Sequence, residues 1–140
     1  MTQLPVEKRP RPLLKPGLAG RIESFRYATR GVGVMIRSQK NAWIHATISI
    51  LVVGLGVLLQ VTWRDWCWLV LAIVAVWTAE ALNTAFEFLA DVASPEFHPL
   101  VEKAKDVAAG AVLISSVGAV VIGVLVMGPR LWALVSAWFS

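Results

Sequence analysis

The sequence predicts an all-α integral membrane protein, in which an amino-terminal amphipathic helix lies in the membrane interface and three transmembrane helices follow. Three observations predict it. Of 140 residues, 57% are hydrophobic, 16% are charged and the mean hydropathy is +0.68, whereas a soluble domain of this size is about 45–50% apolar and about 25% charged. Three apolar runs each approach or exceed the roughly 20 residues that cross a bilayer core. The stretch before them carries an apolar stripe flanked by arginines. The length leaves room for one domain, and the single cysteine, Cys67, excludes an internal disulfide framework and a cysteine-based zinc site.

The first element is an arm. Residues 1–17 hold four of the seven prolines and several basic residues, which prevents a continuous helix and predicts a flexible basic segment. A cleavable secretory signal fits poorly, because the first long apolar run begins only near Ala42, behind a long charged segment. Residues 18–140 are expected to form one membrane-embedded domain. In it, Leu18, Ile22, Phe25, Thr29, Val32 and Ile36 advance by helical steps and share an arc of roughly 80° at about 100° per residue. Arg26, Arg30 and Arg37 lie to one side of that arc, as on a helix whose stripe enters the acyl boundary and whose cations meet anionic head groups.

The spans are expected at about 42–61, 66–90 and 107–127. A tight turn, TWRD, separates the first two, and the longer polar stretch DVASPEFHPLVEKAKD separates the second from the third. Trp43, Trp63, Trp66 and Trp68 fall at the ends of spans one and two, where tryptophan anchors membrane helices. Residues 1–40 carry nine Lys and Arg against two acids, whereas the remaining hundred residues sum to −3. Of the 13 basic residues, eleven precede span one or lie between spans two and three. The positive-inside rule then puts the amino terminus and the 91–106 stretch in the cytoplasm and the carboxyl terminus outside. Small residues four apart, Ala75 with Ala79 and Ala81 with Ala85, permit close helix contacts. Three thin helices would shield polar groups poorly, so an oligomer is expected.

The chemistry concentrates in AEALNTAFEFLAD, residues 79–91. Glu80, Asn83, Glu87 and Asp91 fall at about 0°, −60°, −20° and +20° around a helix turning about 100° per residue. Counting from Trp66, Glu80 lies about 21 Å and Glu87 about 31 Å along the helix at roughly 1.5 Å per residue. The acidic row therefore climbs from within the cytoplasmic half of the bilayer to its surface. A carboxylate at that depth costs at least about 2.5–3.5 kcal/mol, so something must stabilise it. Hydrogen bonds that fix an oligomer, a proton or cation path, and a divalent-metal and nucleotide site are the three readings. Lys105 and Asp106, at the cytoplasmic start of span three, favour the last, because a lysine beside free helix amides suits a phosphate and carboxylates are hard oxygen ligands for Mg²⁺.

EALNTAFEFLAD, followed by KDVAAGAVL, resembles the prokaryotic diacylglycerol kinase and undecaprenol kinase family, three-span membrane enzymes that phosphorylate a lipid alcohol from MgATP. SFRYATRG, KNAWIHA and FHPLVEKAKD extend the resemblance in order over roughly residues 20–127. The resemblance implies a lipid kinase with ATP as co-substrate, Mg²⁺ as cofactor, a homotrimeric assembly, and anionic membrane lipid around it. It implies that Glu80 is the general base taking the proton of the lipid hydroxyl, Asn83 an active-site amide, Glu87 a metal ligand and Lys105 the γ-phosphate contact. Asp91 and Asp106 match polar groups of the nucleotide site, and His98 lies in the loop bordering the nucleotide. FHPL together with His45 is closer to the undecaprenol kinase branch. Where the family has a second metal-binding Glu before span one, this chain has Gln39. A Gln carbonyl can bind Mg²⁺ but brings no charge, which leaves affinity for a second ion or the turnover rate open.

Other features read structurally. No GxxxxGK[ST] or kinase glycine loop occurs, which excludes a soluble nucleotide fold. His45 reads as a hydrogen-bonded packing residue and Cys67 as inert, while the basic arm, lacking interleaved aromatics, points to anionic lipid rather than nucleic acid. The rivals to a lipid kinase are an inactive homologue or membrane scaffold, and a small ion-coupled transporter.

Overall fold

A computed structural model describes residues 17–139; most of the amino-terminal arm lies outside the described residues. The described chain is helical and contains four helices: α1 (Leu18–Ser38), α2 (Lys40–Leu58), α3 (Trp63–Ala93) and α4 (Pro99–Trp138). The last three are long and apolar enough to cross a membrane. The chain divides into two units, one ending at Val34 and the other beginning at Met35, so that α1 contributes to both.

In the first unit, Leu18, Ile22, Phe25 and Val32 of α1 are all exposed. Tyr27 donates to Glu23 Oε1 at 3.0 Å, one helical turn away. That carboxylate holds the phenol above its ordinary value, so Tyr27 stays a protonated donor at neutral pH.

In the second unit α2, α3 and α4 run up, down and up, with α3 packed most extensively on α4 and also on α2. The turn between α2 and α3 is as short as TWRD suggests but lies three residues earlier, at 59–62, because α3 already includes Trp63. Gln60 takes a positive φ of 49°. Leu59, Gln60 and Val61 donate to the carbonyls of Leu55, Val57 and Gly56, which would otherwise be orphaned at the end of α2. Thr62 then caps α3 in a reciprocal box: its Oγ1 accepts from Asp65 N and Asp65 Oδ2 accepts from Thr62 N. Arg130, on α4, meets the same carboxylate at 2.8 Å and so ties the far end of the hairpin together.

Close approach at this end depends on Gly56. A Cβ built there would lie 2.9 Å from Trp66 Cη2, inside van der Waals contact, with Leu59, Val61, Leu69 and Met127 forming the core beside it. Gly56→Val is expected to destabilise the bundle by about 1–3 kcal/mol, read as a lower unfolding temperature in detergent. An unchanged temperature would show that α2 and α3 do not pack this closely in the membrane.

The segment between α3 and α4 is much shorter than the polar stretch read from the sequence. Only Ser94–His98 is non-helical, because Pro99 begins α4 rather than interrupting it, as suits a residue with fixed φ and no N–H. His98 caps that start by accepting from Leu100 N through Nδ1 at 3.2 Å. At its other end α4 runs on through Pro129 to Trp138, giving a helix about 60 Å long at 1.5 Å per residue. Outward-facing residues of the spans, such as Ile48, Val74, Leu113 and Val120, are large, apolar and exposed. Inside, Trp77 Nε1 donates to Ser49 Oγ at 3.1 Å, a polar tie between α2 and α3.

Candidate active site at the carboxylate face of α3

The second half of α3 turns polar side chains inward. Glu80 is 0% exposed, Thr84 3% and Asn83 5%, and these are the buried polar residues of the described chain. They share a face because positions 80, 83, 84 and 87 are one helical turn apart. Thr84 satisfies its hydroxyl locally by donating to the Glu80 carbonyl at 2.8 Å. Glu80 and Asn83 are not satisfied: both carboxylate oxygens of Glu80 and Oδ1 of Asn83 are buried with no hydrogen-bond partner. Buried groups of this kind cost free energy unless something supplies the missing partner.

One turn on, Glu87 accepts at both oxygens. Gln39 Nε2 donates to Oε2 at 2.5 Å and Asn83 Nδ2 to Oε1 at 3.1 Å. Gln39 is the extended residue between α1 and α2, so its side chain reaches α3 from outside any helix. Farther out, Lys105 Nζ of α4 meets Asp91 Oδ1 of α3 at 2.7 Å. This pair is largely exposed, and exposed ion pairs contribute little to stability; the lysine is therefore easily released to another anion.

Of the residues expected to form the site, the structure brings Gln39, Asn83 and Glu87 into one chain of contacts and joins Asp91 to Lys105 across the α3–α4 hairpin. Glu80 lies deeper on the same face, about one turn from Asn83 and two from Glu87. Asp106 is exposed and makes no hydrogen bond or ion pair among the described residues, and His98 is occupied as a helix cap. His45 is 14% exposed, with Nε2 3.7 Å from Glu80 Oε2; no periodicity within α2 could reveal that neighbour on another helix.

The donor set fits a hard cation. Among the described residues no three His, Cys, Asp or Glu side chains converge as a self-contained metal cage. Glu87 nonetheless offers a carboxylate of the kind Mg²⁺ takes when substrate phosphates and water complete its shell, and a half-turn of either amide would point its carbonyl oxygen inward. The unpartnered Asn83 Oδ1 is already an oxygen donor of that type.

Three helices long and apolar enough to cross a membrane, with a polar cluster set into them that holds unpaired oxygens, define an all-helical membrane protein with a buried polar site. Residues 26–127 match the family model described as prokaryotic diacylglycerol kinase, and the chain belongs to that family. It is 36% identical over 109 residues to the undecaprenol kinase of Bacillus subtilis strain 168, covering 78% of this chain and 89% of the relative. It is 37% identical over 112 residues to a diacylglycerol kinase of Synechocystis sp.. That alignment covers 79% of this chain and 64% of the relative, a little under two thirds of its length.

Proposed function

We propose that this protein is a lipid kinase of the bacterial inner membrane that moves the γ-phosphate of ATP to a lipid alcohol, giving the lipid phosphate and ADP. The observation that carries this reading is Glu80, wholly buried, with both oxygens unpartnered, below an amide-flanked carboxylate and a releasable lysine. Phosphoryl transfer asks a protein mostly for positioning and charge neutralisation, and each part has a candidate. Glu80 accepts the proton of the attacking hydroxyl. Lys105 leaves Asp91 and contacts the γ-phosphate. Glu87, with the amides of Gln39 and Asn83, would hold Mg²⁺, which when bound neutralises phosphate charge. Asp91 and Asp106 face the nucleotide, and His98 holds the loop beside it.

The acceptor we favour is undecaprenol, on the strength of FHPL and His45 in this sequence and the relative named undecaprenol kinase. Purified protein given labelled ATP, Mg²⁺ and equal undecaprenol and diacylglycerol should label undecaprenol the faster; preferential labelling of diacylglycerol would reverse the assignment. The same reading includes a homotrimer and an interfacial α1, together with a cytoplasmic amino terminus and an outer carboxyl terminus, the orientation being supported by the basic-residue asymmetry.

Gln39 gives a further prediction. Gln39→Glu removes the donor to Glu87 and sets two carboxylates side by side, which repel unless a cation lies between them. The half-saturating Mg²⁺ concentration is expected to fall severalfold, measured from rates across a Mg²⁺ titration. An unchanged Mg²⁺ dependence would remove Gln39 from the metal site.

A further inference from the structure

Two cavities meet at His45. One is a chamber of about 250 Å³ that Asn41, Glu80 and Asn83 make polar. The other is an apolar groove of about 540 Å³ that follows α2, α3 and α4 as far as Leu131. Ile44, His45 and Ser116 line both. An imidazole in a membrane span is expensive and marks a functional position, and this one stands at the boundary between the buried carboxylate and the lipid-like groove. Its Nε2 lies 3.7 Å from Glu80 Oε2, beyond hydrogen-bond length but closable by a small rotation. His45 is only 14% exposed, and Glu80 has no other partner to compete for it.

We propose that His45 is the positioning residue for Glu80. With the proton on Nε2, the imidazole closes onto Oε2 and fixes the carboxylate plane, leaving Oε1 to accept the hydroxyl proton of an alcohol that arrives along the apolar groove. Without His45, Glu80 is free to rotate among positions that do not face the acceptor. This rests on the kinase reading above, and it makes the groove side of the chamber the entrance for the lipid alcohol. A carboxylate misplaced by about 1 Å can cost about a hundredfold in rate.

The test has two arms, both on the full chain in lipid nanodiscs. In the first, His45→Leu is expected to lower kcat about ten- to a hundredfold with KM for ATP unchanged, and His45→Gln, whose amide reaches a similar point, to recover most of it. Full kcat in His45→Leu, or equal impairment of His45→Gln and His45→Leu, would overturn the proposal. In the second arm, nitrogen NMR of the two histidines, distinguished by His98→Asn, reports the tautomer without any turnover. Nε2 protonation that shifts in Glu80→Ala supports the contact, and a His45 resonance indifferent to Glu80→Ala overturns it. If the wild-type protein labels no lipid, the kinase reading fails, and the NMR arm still decides the His45–Glu80 contact on its own.

Discussion

Glu80→Gln is expected to cut lipid phosphorylation by about a hundredfold or more, the range that a positioned general base supplies, while the protein still inserts and assembles. The structural reason for separating the two outcomes is specific. Glu80 is fully buried, and neither of its oxygens has a hydrogen-bond partner. An amide of the same shape therefore loses no hydrogen bond, and it removes a charge whose burial in lipid is costly. Thermal stability in detergent should be equal or higher in Glu80→Gln, the usual relation between an active site and the fold that carries it. Initial rates with labelled ATP, set beside an unfolding curve and chemical cross-linking, read both quantities. A variant that keeps full turnover would end the assignment of Glu80 as base. A variant that loses turnover only because it unfolds would make Glu80 structural.

Lys105→Met is expected to be as severe, by a different route. In the structure Lys105 contacts Asp91 at 2.7 Å, joining the end of α3 to the beginning of α4. Both side chains are well exposed, so the pair holds little of the hairpin together, and Met preserves the aliphatic stem. What Lys105→Met loses is a cation where phosphate charge is transferred, and removing one such stabilising group typically costs about a hundred- to a thousandfold. The control is Asp91→Asn, which breaks the same ion pair and leaves the lysine. If pairing were the function of Lys105, Asp91→Asn would match Lys105→Met. Lys105→Met is expected to be far the more damaging, with kcat reduced and the protein still assembled.

The three spans were legible because lipid imposes a simple requirement. Each must be a long apolar helix with its backbone satisfied internally, and runs such as 107–127 meet it. Their ends were less legible. The third span was expected at about 107–127, whereas α4 starts at Pro99 and runs on through Pro129 to Trp138. The capping box of Thr62 and Asp65 moved the start of α3 ahead of its apolar run. The acidic face of α3 could be read from spacing alone, since a helix puts positions 80, 83 and 87 together whatever surrounds it. Contacts between helices could not be read in that way. That Gln39 reaches Glu87 and His45 stands by Glu80 depends on how α2 is rotated against α3, and Gly56 with Trp66 sets that closeness without any periodic signal.

The most direct test of the central claim, that the buried carboxylate face of α3 is a phosphotransfer site, is a label-transfer measurement. Wild-type protein and Glu80→Gln would be purified into nanodiscs containing undecaprenol and diacylglycerol and given γ-labelled ATP with Mg²⁺. Label is expected on a lipid alcohol with the wild-type protein and none above background with Glu80→Gln at equal insertion. Label on neither lipid from well-assembled wild-type protein, or equal label from both proteins, would contradict it.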